Sequence, residues 1–407
     1  MPRLQESAEA FRVLVIHGPR QAGKSTVLRD LHRRTGGHLL DLDDAAVRAA
    51  ATDDPESLIR SDHGYVYVDE FQRGGNDLIL AVKRAVDRGG PHVILAGSTN
   101  FLTTPTLSES LAGRAVIQEI WPFSQGEIAG RKDGLLPLLT EAPEEVRHLQ
   151  PEPLTREDYL VRIVEGGYPE PLALPSARLR RQWFESYAET VTGRDLALLG
   201  AARRPDDLRR LLVHCTALTG QELVHTGMGT ALGLDRSTVA HYLSLLETAF
   251  LIRPLPVWSR NPTARTSRRP KVHITDTGLA SALQHVDART LASPQAPLRG
   301  PLVESFVHAE LLRQRTWTDR PVSLSHWRES GGPEVDLVVE TPGAGVVGIE
   351  CKASGSVRAE DFRGLRAFRD RTGDTFRHGV VLYLGEHVLG FGDDLTALPL
   401  SALWATT

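Results

Sequence analysis

Apolar and polar positions alternate with different periods along the chain, and the changes of period mark its elements. RVLVIHGPRQAGKSTVLRDL, residues 12–31, predicts a short apolar strand, a Gly-rich turn and then a helix. YVYVDEF, residues 65–71, predicts a strand that ends in two acids, and HVILAGSTN, residues 92–100, one that ends in polar residues. Residues 130–153 are Pro-rich, contain Gly and keep no sustained periodicity, which predicts a linker. Helical spacing returns in SARLRRQWFESYAETVTGRDLALLG and PDDLRRLLVHCTALTG, and ELVHTGMGTALGLDRSTVAHYLSLLETAFLIRPLPVW then predicts helix, turn, helix and strand. GPLVESFVHAELLRQ, residues 300–314, predicts an amphipathic helix.

EVDLVVETPGAGVVGIECKA, residues 334–353, predicts a hairpin turning at TPGAG, in which residues whose numbers sum to 686 face each other. Glu334, Asp336, Glu350 and Lys352 then share one face, while Val335, Leu337, Ile349 and Cys351 share the other. A strand pair apolar enough to be buried thus carries three acids and a lysine, which calls for a partner for those charges.

At 407 residues the chain predicts two or three domains. A net charge of −4 and a pI near 6.4 exclude a global basic field, so any nucleic-acid contact must come from local patches. Two cysteines, Cys215 and Cys351, argue against a disulfide framework and for a reducing cytosol. Apolar runs fall short of a membrane span and MPRLQESAEAFR lacks a signal-peptide core, so a cytoplasmic protein is expected. Of 47 basic residues only Lys24, Lys83, Lys132, Lys271 and Lys352 are lysines. Two of them fall in motifs that need a compact point charge rather than a planar fork.

The first of these motifs is GPRQAGKS, a full match to G-x-x-x-x-G-K-[ST]. The stretch Gly18, Pro19, Arg20, Gln21, Ala22, Gly23, Lys24, Ser25, Thr26 would cradle the phosphates of ATP at a helix N-terminus, with Lys24 on the β/γ-phosphates and Ser25 on Mg²⁺. Asp69 would hold the same Mg²⁺, Glu70 would orient or deprotonate the attacking water, and Ser98 or Asn100 could sense the γ-phosphate. In LDRSTVAHYLSLLE, Asp235 is the expected N-cap and Val239, Leu243 and Leu246 the buried stripe of a recognition helix, leaving Arg236, Ser237, Thr238 and His241 exposed. The following segment reads as a wing whose Arg260, Arg265, Arg268, Arg269 and Lys271 would suit DNA phosphates, although such a loop also serves as a joint. The second lysine motif closes the series Glu304, Asp336, Glu350-x-Lys352, the order in which PD-(D/E)xK nucleases place their site. Glu304, Asp336 and Glu350 would share one or two divalent cations, Mg²⁺ or Mn²⁺, and Lys352 would stabilise the attacking hydroxide or the phosphorane charge. The alternative is a salt-bridge cluster in which Lys352 neutralises Glu350 or Glu334.

The phosphate loop, VDE, AGS, LAGR, WPFSQGE, WSRN and KVHITDTGLA together resemble the bacterial and archaeal AAA+ superfamily ATPases related to the signal-transduction ATPases. Many of those carry a C-terminal domain of unknown function with a restriction-endonuclease-like core. The resemblance implies a parallel αβα sheet with the nucleotide at its C-terminal edge. It also implies a charge-sensor or inter-subunit role for Arg114, which opens a strand expected close to the same sheet end. The fold class expected is therefore α/β: a P-loop NTPase domain over 1–130, a linker over 131–154, a helical and winged-helix domain over 155–290, and a restriction-endonuclease-like domain over 291–407. Two functions fit: an ATP-regulated, metal-dependent enzyme acting on DNA or RNA, or a regulatory ATP switch whose later domains bind DNA or a protein partner without cleavage. Homo-oligomerisation stays open under either.

Overall fold

The computed structural model describes residues 2–61, 64–98, 110–132, 134–196, 204–329 and 331–405. The chain divides into two compact units, Met1–Pro122 with Thr248–Phe250, and Phe123–Glu247 with Leu251–Thr407. Among the described residues no helix is long and apolar enough to cross a membrane.

The first unit is built on five parallel strands: β1 (Val13–His17), β2 (His38–Asp41), β3 (Tyr65–Asp69), β4 (His92–Gly97) and β5 (Ala115–Glu119). Their order is β2-β3-β4-β1-β5. Continuous apolar runs suit such a sheet because both of its faces are covered. Val13, Val15, Val66, Val68, Val93 and Leu95 enter one core, and Leu14, Ile16, Tyr67, Ile94 and Ala96 enter the other, as the two-residue period requires. Helix α1 (Lys24–Thr35) follows β1, and helix α2 (Gly75–Asp87) lies between β3 and β4. Because β4 separates β1 from β3, the turns that leave β1 and β3 stand on either side of Gly97 and Ser98 at the C-terminal edge. The chain leaves β1 toward β2 at one edge of the sheet and leaves β4 toward β5 at the other, so the strand order reverses between these neighbours, a topological switch point of the kind that leaves a crevice for ligand.

In the second unit, the stretch expected to be a linker instead holds helix α3 (Leu135–Glu141) and a 3₁₀ segment, Pro143–His148. Leu135, Leu136, Leu139 and Val146 are buried. Two turns too short to show a helical period conceal this packing in the sequence. Strands β6 (Gln221–Glu222), β7 (Ile252–Leu255) and β8 (Lys271–Ile274) form an antiparallel sheet of order β6-β8-β7 beside helix α4 (Arg236–Thr248). Asp235 caps α4 by accepting from the Thr238 amide at 2.9 Å, and the Ser237 and Thr238 hydroxyls also turn onto its carboxylate. Val239, Leu243 and Leu246 are buried, as their spacing requires.

Helix α5 (Arg299–Gln314), which is buried along most of its length, precedes a mixed sheet. The sheet consists of β9 (Ser323–Arg328), β10 (Glu334–Thr341), β11 (Gly345–Lys352), β12 (Phe376–Tyr383), β13 (Leu389–Gly390) and β14 (Leu395–Pro399), in the order β13-β14-β12-β11-β10-β9. β9, β10 and β11 form an antiparallel meander, and helix α6 (Arg363–Thr372) then crosses to β12, which runs parallel to β11. The hairpin pairs Leu337 with Ile349 and Thr341 with Gly345, the register in which partners sum to 686.

Candidate functional site

The phosphate loop takes its shape from β1 and α1. Gly18 (φ +152°) packs so closely on the residue that follows β5 that a Cβ there would lie 1.9 Å from the Ile120 carbonyl oxygen. Gly23 (φ +98°) turns the chain into α1. The Lys24 ammonium donates to the Gly18 and Pro19 carbonyls at 3.0 and 2.7 Å, so it already sits inside the loop it would share with phosphate. Burial pulls its pKa down to about 8, while the Glu70 and Asp69 carboxylates pull the other way. Pro19 and Ala22 are buried, whereas Arg20, Gln21 and Thr26 are exposed.

Asp69 ends β3, is 5 % exposed, and accepts a hydrogen bond from the Ser25 side chain. The two expected Mg²⁺ ligands are thus in contact, and their oxygen donors suit that ion. Glu70 follows in a left-handed conformation (φ +51°). Burial raises the pKa of both acids; for Asp69 the Ser25 bond, and for Glu70 the Lys24 charge, counters most strongly. Gln72, which the sequence reading missed, donates its amide to the Glu70 carboxylate and lies 3.4 Å from the Ser98 hydroxyl. A polar residue two places after the acid pair was its only signal. Asn100 lies outside the described residues.

Arg114 is not at this edge. Its neighbour Ala115 pairs with Val13, the first residue of β1, whereas the phosphate loop leaves from the last. Five residues at about 3.3 Å each put roughly 16 Å of strand between them. Arg114 instead makes a two-pronged ion pair with Asp87 at the end of α2, at 2.6 and 3.1 Å. Parallel pairing with β1 sets the end at which β5 opens, and no local motif encodes that.

A second constellation forms in the other unit. Asp336 and Glu350 are buried on the hairpin, and Glu304 faces them from α5. Asp336 Oδ2 accepts the Cys351 amide at 2.9 Å, and Lys352 reaches Glu350 Oε1 at 2.9 Å and Asp361 at 3.9 Å. Lys271 also enters, its ammonium 2.8 Å from Glu304 Oε1 and 3.2 Å from Asp336 Oδ1. Among the described residues no group of three or more His, Cys, Asp or Glu is placed to hold a metal ion. A lysine ammonium instead lies between two of the three acids expected to share a divalent cation. Desolvation raises Glu304 well above the usual carboxylate range. It lifts Glu350 to about 8, with the Asp336 charge adding to the rise.

The expected wing loses three of its five cations to intramolecular partners. Arg260 donates to the Thr372 carbonyl, Arg265 grips Glu340 at 2.5 and 2.9 Å, and Lys271 is buried in the acid cluster. Arg268 and Arg269 are exposed. Partners distant in sequence, a backbone carbonyl for Arg260 and carboxylates for Arg265 and Lys271, draw these cations in, so a run of like charge did not foretell a solvated face.

Residues 10–129 match the family model described as an AAA domain. That match takes in most of the first unit, including the phosphate loop and the acid pair at the end of β3. Residues 156–290 and 299–403 match two models described as domains of unknown function, DUF8612 and DUF4143. The chain is 27 % identical over 407 residues to an uncharacterized protein of Mycobacterium tuberculosis, covering 99 % of this chain and 83 % of that one. The same figures hold for an uncharacterized protein of Mycobacterium bovis. Among solved structures it is similar to a Walker-type ATPase of Pyrococcus abyssi, at 18 % identity and a TM-score of 0.44, over 70 % of this chain and 94 % of that one. It is also similar to the RuvB Holliday junction branch migration motor of Thermotoga maritima, at 16 % identity and a TM-score of 0.29, over 66 % and 90 %.

Proposed function

We propose that the protein is a Mg²⁺-dependent ATP switch in which the first unit binds and hydrolyses ATP and the second serves as a regulatory module that does not cleave nucleic acid. The observation that carries the ATPase reading is the Lys24, Ser25, Asp69 and Glu70 constellation at one sheet edge, assembled from two strands that a third separates. Ser25 and Asp69 would hold the metal, which supplies charge neutralisation on the β/γ-phosphates. Lys24 exchanges loop carbonyls for phosphate oxygens. Glu70 orients or deprotonates the attacking water, and Gln72 holds the Glu70 carboxylate.

Metal-dependent cleavage by the second unit is the competing reading. It draws support from the hairpin register, which gathers Asp336 and Glu350 on one face, and from Glu350 Oε2, a buried oxygen with no hydrogen-bond partner. Lys271 opposes it, because its ammonium takes up the oxygens of Glu304 and Asp336 that a bridging cation would need.

The test compares two variants of the full chain. Lys24→Ala is expected to abolish binding of fluorescent ATP, whereas Glu70→Gln keeps it but slows phosphate release by about a hundredfold or more, since the shape survives and the base does not. Parent-like affinity in Lys24→Ala would overturn the assignment of the nucleotide site.

A further inference from the structure

Two of the lysines lead to opposite ends of the chemistry. Lys24 faces a mobile ligand, while Lys271 faces acids of its own chain. β8 is the central strand of its sheet, with Lys271 paired to Glu222 of β6 and Leu255 of β7, so the backbone beneath the ammonium is fixed on both sides. The residue is only 4 % exposed. Two positions on, and therefore on the same face, His273 bonds the Ser305 hydroxyl at 2.9 Å and lies 3.6 Å from Glu304 Oε1. Its ring stacks on His308 at 4.4 Å. On the other side of Glu304, a Cβ placed on Gly220 would lie 3.1 Å from Oε2, so the backbone closes the pocket around that carboxylate.

We infer that Lys271 is the resident cation of the acid cluster, its ammonium holding the place of a divalent ion between Glu304 and Asp336 and locking β8 to α5 and the β10/β11 hairpin. A bridging Mg²⁺ or Mn²⁺ needs carboxylate oxygens at about 2.0–2.5 Å in a shell of six or more donors. Here the two oxygens that converge are already bonded to nitrogen at 2.8 and 3.2 Å. With Lys352 on Glu350 and 3.9 Å from Asp361, four acids face two lysines, so much of the negative charge that would attract a free ion is met by the chain itself. Removing Lys271 leaves the buried Asp336 and the largely buried Glu304 without the ammonium between them. That is a costly arrangement, which a divalent ion can relieve.

The experiment uses nucleotide-free full-length protein stripped of metal, and follows thermal unfolding and Mn²⁺ binding by electron paramagnetic resonance. The parent is expected to show no Mn²⁺ site that depends on Asp336. Lys271→Met is expected to unfold at lower temperature, to gain a Mn²⁺ site and to recover its midpoint with Mn²⁺. Adding Asp336→Asn should remove both the site and the recovery. Should Lys271→Met fail to fold, Lys271→Met with Glu304→Gln carries one buried charge fewer and undergoes the same titration, with Asp336→Asn again as the control. A Mn²⁺ site in the parent that Asp336→Asn abolishes would overturn the inference, as would a folded variant without Lys271 that gains no Mn²⁺ site. ATP turnover, which reports the other unit, checks that each variant is otherwise intact.

Discussion

Gly18 shows how little room a single residue can leave. The nearest atoms to a Cβ at this position are backbone atoms of Ile120, so no side chain can swing away to admit it, and φ at +152° adds strain for any L side chain. Gly18→Ala is therefore expected to push β5 away from β1 and to lower the unfolding free energy of the first unit by more than about 1 kcal/mol even without nucleotide, read as a fall in the first-unit unfolding midpoint. Loss of ATP affinity with an unchanged midpoint would instead mean that the methyl merely blocks phosphate. Much of this site was legible, because the phosphate loop is contiguous and its residue types follow from the chemistry of phosphate. Gln72 was not, since its value depends on Ser98 standing across from it just after β4.

Among the elements, the stretch between β7 and β8 reads from sequence as a basic wing or a joint, and in the structure two of its arginines, Arg260 and Arg265, turn back onto the chain. Its Pro262–Ser267 helix starts at an Asn261 cap and points Arg265 at Glu340 of β10, with the guanidinium also 5.9 Å from the centre of the Trp258 ring. The pair is about a quarter to a third exposed, which limits its strength. A double-mutant cycle on Arg265→Ala and Glu340→Ala is expected to give a coupling of about 1 kcal/mol in unfolding free energy. A coupling indistinguishable from zero would return Arg265 to the solvated face that its charge run suggested. Asp235 and the Val239, Leu243 and Leu246 stripe of α4 were readable because a cap and a helical period are local. The partner of Arg265 is 75 residues away and carries no mark of it.

At the scale of the whole molecule, α5 organises the second unit. Arg313 bridges Asp276 at 3.4 Å and Glu310 at 2.7 Å, all three groups being buried. Asp276 in turn accepts the Gly167 amide at 2.7 Å, and Glu310 the Gln125 amide at 2.9 Å. Next along, Gln314 accepts the Leu136 amide at 2.8 Å and donates to the Leu403 carbonyl at 2.6 Å. One helix end thus ties together segments near residues 125, 136, 167, 276 and 403, including the expected linker. Arg313→Met is expected to strand two buried carboxylates and destabilise the second unit by about 3–5 kcal/mol, while ATP binding by the first unit persists. Calorimetry with and without ATP separates the two transitions. A fall of less than about 1 kcal/mol would show that the network relaxes around the loss.

The sequence by itself determined the features whose information is local. The phosphate loop, the acid pair at the end of β3, the α4 cap and the β10/β11 register each rest on residues a few positions apart, where backbone geometry leaves one arrangement open. Only the tertiary structure decided where the charges go. It placed Arg114 at the far edge of its sheet, buried the 135–146 segment, and sent Lys271 from a basic loop to acids 33 and 65 residues further on. The physical reason is that a buried charge takes whichever opposite charge the packing of distant strands and helices brings to it. That pairing belongs to the assembled core and to no one stretch of the chain.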